Sequence, residues 1–263
     1  MPVFYEIEEA LRGLAASRDR QKWLTRRRTK SIDAPSIARP TVLPSIAGPL
    51  TTDQALAICQ DAGIPTASWH VAPNPKEAAR RAVSLGFPVA LKILAPDIGH
   101  KSDVGGVVLG LSDIDSVERE SEVMLRRVQG NLREASRAAL LVQQMVSVGT
   151  EVILGGKRDP SFGPVVMFGL GGVFVEAFRQ VAFRVAPLTQ IDAEELIDET
   201  QGSRLLAGYR GAPPADREAL IHAILAFSQL LVENPRITEL EINPLLVLEK
   251  GIVAVDARAA IAD

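Results

Sequence analysis

Four polar residues interrupt two apolar, strand-like runs near the C-terminus, and their types suit a divalent cation beside a phosphate. They lie in Leu240-Glu241-Ile242-Asn243-Pro244-Leu245-Leu246-Val247 and, past Lys250-Gly251, in Val253-Ala254-Val255-Asp256-Ala257-Arg258. Side chains on a strand alternate between faces, so Glu241 and Asn243 share one face while Leu240 and Ile242 take the other. With Lys250-Gly251 as a two-residue hairpin loop, Leu248 opposes Val253, Leu245 opposes Asp256 and Asn243 opposes Arg258. Glu241, Asn243, Asp256 and Arg258 then all point the same way. Mg²⁺ takes hard oxygen ligands, a few from protein and the rest from phosphate and water, and the Asn243 amide with the Asp256 carboxylate meets that need. Arg258 is placed to hold phosphate oxygens. The competing reading is an ordinary hairpin with one solvated face. Against it, Asn and Asp are poor strand formers, yet both break runs of Leu, Ile and Val. A three-residue loop would shift the pairing by one and turn Asp256 away from Asn243.

Other segments offer groups for phosphate. Lys92 sits in the middle of the apolar run Phe87-Pro88-Val89-Ala90-Leu91-Lys92-Ile93-Leu94, where a buried ammonium is costly unless paired with an anion. A side chain reaching to water from an edge strand is the alternative. The following turn, Ile98-Gly99-His100-Lys101-Ser102-Asp103-Val104-Gly105-Gly106-Val107, adds a second Lys, a hydroxyl, an imidazole and two glycines, Gly105 and Gly106, that let backbone approach a ligand. No Gly-Lys-Ser/Thr ending of a P-loop occurs in either unit. A third glycine cluster, Phe168-Gly169-Leu170-Gly171-Gly172-Val173-Phe174, fails as a dinucleotide fingerprint because Phe174 holds the place of the third glycine. Gly171 and Gly172 read as a phosphate-facing loop or a structural bend. Val142-Gln143-Gln144-Met145-Val146 leads from a buried strand toward Gly149 and Glu151. Backbone at such a hinge can pair with an adenine edge while a carboxylate reaches ribose hydroxyls; a plain interlobe connection is the other reading.

These segments need a scaffold, and the chain has the material for one. It has 263 residues, 47% hydrophobic and 23% charged, enough for a substantial core in two lobes. The single Cys59 excludes an intrachain disulfide and lies in an apolar helical run, so it reads as a buried thiol rather than a nucleophile. A net charge of −3 gives no general case for nucleic acid, and no apolar run approaches the ~18 residues of a membrane span. Without a signal-like N-terminus, the expected compartment is the cytoplasm. Residues 1–47 stand apart: Phe4, Ile7, Leu11 and Leu14 predict an amphipathic helix from 4 to about 24, followed by a basic cluster at Arg26-Arg27-Arg28 and a Pro-rich linker. Beyond it helices and strands alternate. Thr51 with Gln54 predicts a helix ending at Gly63, and Asn74-Pro75 predicts another closed by Gly86. Strands are expected at 87–94, 107–111, 140–146, 151–154, 164–168 and 183–186. Helices are expected over 115–136, after an Asp192–Glu195 cap, and from Pro214 to Asn234. The class is α/β (α+β).

Taken together, Phe87 to Lys92, His100-Lys101-Ser102-Asp103-Val104-Gly105-Gly106, Phe168 to Glu176, and Glu241-Ile242-Asn243-Pro244 with Asp256 resemble the ATP-grasp domain of NDP-forming acyl-CoA synthetases, such as ADP-forming acetyl-CoA synthetase, with succinyl-CoA synthetase β subunits more distant. The resemblance covers about residues 48 to 263 and implies a two-lobed ATP-grasp fold with an N-terminal helical extension, divided into lobes at 48–137 and 138–263. It implies that Lys92 binds nucleotide phosphate; the residues themselves add Lys101, Gly105, Gly106, Gly171, Gly172 and Arg258 as further candidates for the nucleotide. It also implies that Gln144, Met145 and Val146 line the adenine pocket with Glu151 nearby, that Asn243 and Asp256 hold Mg²⁺ with Glu241 in support, and that His100 carries phosphate. Residues 1–47 resemble the tail of the CoA-ligase portion of single-chain members. The implied reaction is acid + CoA + ATP = acyl-CoA + ADP + phosphate, run by a hetero-oligomer with a CoA-binding (α-type) subunit or domain. A different reading is a non-catalytic nucleotide-sensing module of a larger assembly, such as a lysine acetyltransferase; the intact set Lys92, His100, Asn243 and Asp256 speaks against decay of the site.

Overall fold

Two antiparallel sheets, each backed by its own helices, bring the polar segments face to face. The computed structural model describes residues 18, 41–45, 47–95, 105–129, 138–146, 149–171, 181–200, 202–208 and 213–263. The helix expected over 4 to 24, apart from Arg18, lies outside them, as do His100, Lys101 and Gly172. In chain order the first elements are β1 (Gly48–Pro49), α1 (Thr52–Asp61), β2 (Trp69–Ala72), α2 (Pro75–Leu85), β3 (Val89–Leu94) and β4 (Val107–Leu111). Next come α3 (Ile114–Gln129), β5 (Ala139–Gln144), β6 (Thr150–Asp159), β7 (Gly163–Leu170) and β8 (Val181–Val185). The chain closes with α4 (Gln190–Asp198), α5 (Gly202–Leu206), α6 (Arg217–Glu233), β9 (Ile237–Val247), β10 (Ile252–Ala254) and β11 (Ala257–Ile261). Among the described residues no helix is long and apolar enough to cross a membrane.

The smaller sheet has four strands in the order β2-β5-β3-β4. One face, with Val89, Leu91, Ile93, Leu140 and Val142, is buried against Ala78 and Ala82 of α2 and Val117, Met124 and Val128 of α3. The other face carries Lys92 opposite Leu141, and Gln143 between Ala90 and Trp69. The larger sheet runs β1-β11-β9-β6-β7-β8, with β10 also paired to β9. Its inner face places Leu240, Ile242, Leu245, Val152, Leu154 and Phe168 against Leu220, Ile224, Phe227 and Leu231 of α6, with Leu56 and Ile58 of α1 in the same core. Full burial of such side chains contributes ~1.5–3 kcal/mol each. Contact between α6 and β6 is close enough that a Cβ on Gly156 would lie 2.8 Å from the Phe227 ring, so only glycine fits there. The sheets meet where Thr66 bridges Ala254, with Ala67 N–H donating to Ala254 O at 3.0 Å and Ala254 N–H to Pro65 O at 2.8 Å. Trp69 packs into the larger core from the small sheet.

Local signals located most elements. Gln54 accepts from Thr51 N–H at 3.0 Å, Asn74 accepts from Glu77 N–H at 3.0 Å, and Gly86 closes α2 at φ 81°. Two caps differ from expectation. Helix α4 is capped by Thr189, whose box partner is Asp192, so the cap sits three positions before Asp192. Helix α6 starts at Arg217 with Asp216 as its cap, beyond Pro214. Strand β2, at Trp69–Ala72, has no alternating apolar pattern long enough to mark it, and only pairing with β5 defines it.

The largest departure is the C-terminal hairpin. Val247 opposes Ile252 and Leu245 opposes Ala254, so the turn residues are Glu249-Lys250 and not Lys250-Gly251. Asp216 explains the shift. Its N–H donates to Leu248 O at 2.7 Å and its carboxylate accepts from Gly251 N–H at 2.8 Å, taking both groups that would otherwise close the turn on each other. Gly251, at φ 79°, has the freedom this requires. The shift moves each strand by one residue in opposite senses, so facing is preserved but partners change: Arg258 opposes Glu241 and Ala257 opposes Ile242.

The N–H groups of Ala219 and Gly251 hold the Asp216 carboxyl below the usual carboxylate range. A depressed folded-state value contributes stability above the unfolded value of ~3.9 and loses it as pH falls through the folded value. Asp216→Ala is therefore expected to lower unfolding stability by about 1 kcal/mol at neutral pH, with the gap to wild type closing below about pH 4. Urea midpoints at both pH values check this; a gap that does not narrow in acid would refute it.

Candidate functional site

The corrected register places the two metal-type ligands directly across from each other. Asn243 N–H donates to Asp256 O at 3.0 Å, continuing the pairing that sets Glu241 against Arg258. On its other side Glu241 faces Gly155 of β6, and the Met167 side chain of β7 lies over that glycine, 2.9 Å from where a Cβ would be. Asn243 Nδ2 donates to Glu241 Oε1 at 3.3 Å, which turns the amide so that Oδ1 is the atom offered to a cation. Asp256 Oδ1 accepts from Ala257 N–H at 3.0 Å, which orients that carboxylate. Asn243 is exposed and Glu241 and Asp256 are half-buried, as a site reached from solvent requires.

Lys92 reaches this cluster from the other sheet. Only 3% exposed, it donates from Nζ to Val255 O at 2.9 Å and lies 3.8 Å from Asp256 Oδ2. The side chain therefore does not reach out to water from an edge; β3 lies between β5 and β4 and Lys92 points into the seam between the sheets. On the same face, one residue pair along, Gln143 is completely buried and neither its Oε1 nor its Nε2 has a hydrogen-bond partner. An unsatisfied buried amide costs about 1–3 kcal/mol per group, so a fully buried unpaired Gln marks a position with a role beyond packing. The sequence offered one signal for it, an amide directly after the apolar run Ala139–Val142; which face it shares was set by pairing with β3.

Of the remaining expected residues, His100, Lys101 and Gly172 lie outside the described residues, and the others take up positions in and next to the two sheets. Gln144 is exposed and its N–H donates to Ser68 O at 2.9 Å, while Met145 N–H donates to Pro88 O at 3.2 Å; both backbone donors thus join strands of the small lobe. Val146 is half-buried at the exit of β5, and Glu151 is exposed near the start of β6. Gly106 accepts from Ile93 N–H at 2.8 Å inside the small sheet. Gly105, at φ 63°, lets the Arg127 guanidinium lie where a Cβ would be, and Arg127 Nη1 donates to Gly105 O at 3.3 Å. Arg127 thereby becomes a further cation beside the glycine turn, placed there by α3 and not visible as part of any motif. Gly171 is required by packing: a Cβ would stand 2.9 Å from the Glu151 backbone. Burial pushes the Cys59 thiol up to about 12, in keeping with a structural role.

Chemically, the cluster offers one amide oxygen and two carboxylates, a hard oxygen set that fits Mg²⁺ better than a soft metal. Among the described residues no group of three or more His, Cys, Asp or Glu gathers as a metal cage. The donors present therefore suit a cation that brings further oxygens with it. A buried ammonium next to such a set supplies the positive charge that a polyphosphate needs.

Comparison with known proteins identifies the fold. A family described as the ATP-grasp domain matches residues 42–261. The ADP-forming acetate–CoA ligase I of Archaeoglobus fulgidus is 36% identical over 269 residues, covering 100% of this chain and 39% of that protein. The β subunit of ADP-forming acetate–CoA ligase I from Pyrococcus furiosus is 40% identical over 210 residues, covering 80% of this chain and 90% of the subunit. Among solved structures, dinucleotide-forming acetyl-coenzyme A synthetase 1 of Ca. Korarchaeum cryptofilum, in complex with coenzyme A, Ca-AMPCP and HgCl⁺, superimposes with a TM-score of 0.78 at 42% identity, covering 82% of this chain and 94% of that one. The same protein with coenzyme A and Mg-AMPPCP, its phosphohistidine segment pointing towards the nucleotide-binding site, gives a TM-score of 0.71 at 41% identity over 81% of this chain and 93% of that one. With nearly its whole length from residue 42 onward matched in this way, the chain belongs to the ATP-grasp family, and its relatives are ADP-forming acetate–CoA ligases and their β subunits.

Proposed function

We propose that this chain is the nucleotide-binding, phosphoryl-transferring part of an ADP-forming acyl-CoA synthetase, working with a CoA-binding subunit or domain. The observation that carries the reading is the buried Lys92 ammonium, brought from one sheet to within ion-pair distance of Asp256 on the other, with Asn243 alongside. ATP or ADP lies in the seam, its phosphates at Lys92, Arg258, Lys101 and the glycines 105, 106, 171 and 172. Its base lies toward Gln143 to Val146 and its ribose toward Glu151. Asn243 and Asp256 would hold Mg²⁺ with Glu241 beside them, and the ion would supply positive charge against that of the transferring phosphoryl group. The chain's own residues do the positioning: Lys92 fixes the phosphates, while Glu241 and the Ala257 N–H orient the donors Asn243 and Asp256. The neutral imidazole of His100 attacks the γ-phosphorus as the bond to the β-phosphate oxygen breaks, giving phosphohistidine and ADP. Transfer to the acid makes an acyl phosphate, which CoA converts to acyl-CoA and phosphate.

The comparisons support the two-part arrangement. The P. furiosus relative is called a subunit β, whereas the A. fulgidus relative is a longer single chain that aligns with this chain over its full length, residues 1–47 included. We assign those residues, with the apolar stripe Phe4, Ile7, Leu11 and Leu14, to contact with the CoA-binding partner. Mixing the purified chain with that partner, ATP, CoA and acetate is expected to yield acyl-CoA, and the chain alone is expected to yield none. Replacing Leu11 and Leu14 with Asp should weaken co-purification while sparing nucleotide binding, since burying an unpaired carboxylate is costly. Robust synthesis by the chain alone would overturn the division of labour, and absence of nucleotide binding would overturn the reading as a whole.

A further inference from the structure

The contacts of Lys92 bear on the order in which metal and nucleotide enter. Two acceptors of the larger sheet locate its ammonium: Val255 O at 2.9 Å and, one residue on, Asp256 Oδ2 at 3.8 Å. The Lys92 side chain is 4% exposed and that of Asp256 22%, so solvent screens the pair only in part. We propose that Lys92 is the counter-ion of Asp256 in the nucleotide-free protein and makes the metal site conditional on the nucleotide.

The proposal rests on the assignment of Asp256 and Asn243 as metal ligands, and it follows from charge and donor count. A divalent cation on Asp256 would stand within a few ångströms of the Lys92 ammonium, and like charges at that separation in a partly buried site repel strongly. The other carboxylate of the cluster, Glu241, has Arg258 as its cross-strand neighbour and accepts from the Asn243 amide at 3.3 Å, so part of its acceptor capacity is already used. No third acidic or imidazole ligand joins them among the described residues. A metal ion alone thus meets one carboxylate already paired with an ammonium, a second that holds the Asn243 amide, and that amide's oxygen, a weak site. Nucleotide phosphates change both terms together: they offer the ammonium a stronger partner than Asp256, and they supply the cation with extra oxygens. Metal and nucleotide then bind with positive coupling, and by linkage each raises the affinity of the other by the same factor.

The signature is a change of opposite sign in a single variant. In the full chain, Lys92→Met is expected to bind Mn²⁺ alone about tenfold more tightly than wild type, read from loss of the free-ion electron paramagnetic resonance signal, while binding ADP about tenfold or more weakly by calorimetry. Lys92→Gln, which keeps a donor toward Val255 O, should show the same pair of changes, and Lys92→Arg should retain the wild-type order. Adding Asp256→Asn to Lys92→Met should remove the gained Mn²⁺ affinity. Thermal melting of each variant verifies folding. Unchanged or weaker binding of Mn²⁺ alone in both Lys92→Met and Lys92→Gln would overturn the counter-ion role. Failure of wild type to bind Mn²⁺ even with ADP present would instead overturn the metal assignment on which it rests.

Discussion

Asp256→Ala is expected to erase the Mg²⁺ dependence of ADP binding, a loss on the order of 100-fold in metal-assisted affinity. Even outer partners of metal ligands cost ~10–100-fold when removed, and Asp256 would be a direct ligand. The substitution leaves Asn243 opposite a side chain without oxygen and leaves Lys92 with its bond to Val255 O. Nucleotide without metal should therefore still bind through the ammonium. Asp256→Asn is the control for shape, because an amide oxygen can still accept from Ala257 N–H as Oδ1 does. Calorimetry with ADP, with and without Mg²⁺, reads the effect. If wild type and both variants show the same ratio of affinities in the two conditions, Asp256 does not hold the metal.

His100→Ala is expected to abolish phosphorylation of this chain altogether. His100 is the histidine of a segment that also holds Lys101, Ser102, Gly105 and Gly106. The other two histidines belong to regular elements. His70 lies in β2, paired with Val142, and His222 is on an exposed position of α6. Incubation with γ-labelled ATP and the CoA-binding partner should give a wild-type phosphoprotein that is stable in base and labile in acid, and none in the variant. ADP binding should change less than twofold, because imidazole acts on the transferred group and not on the part of the nucleotide that stays bound. Label that persists on this chain in His100→Ala would refute the relay.

Local sequence was a good guide wherever one short segment carried the whole determinant. Alternation in Leu240 to Val247 put Glu241 and Asn243 on one face, and the structure keeps Leu240, Ile242 and Leu245 in the core beneath them. A lysine amid Val89 to Leu94 had to be paired or exposed, and it is paired. The caps at Thr51 and Asn74 hold as read, since a cap is an interaction across three residues. Thr189 and Asp192 both have capping chemistry and nothing local ranks them; the fold gives the cap to Thr189.

Chain periodicity by itself determined which residues share a face and which are too costly to bury alone, because strand and helix geometry repeats over a few residues. It could not determine what those faces meet. Lys92 and Val255 are 163 positions apart, and their bond exists only because the two sheets are joined at Thr66 and Ala254. Gln143 became a candidate only when pairing with Ala90 placed it on the Lys92 face. The hairpin register was settled 35 positions away, by Asp216 at the start of α6 taking the N–H of Gly251. Asn243 opposes Asp256 instead of Arg258 for that reason: a turn's local preferences are worth little against two hydrogen bonds to a carboxylate and N–H already fixed by a buried helix.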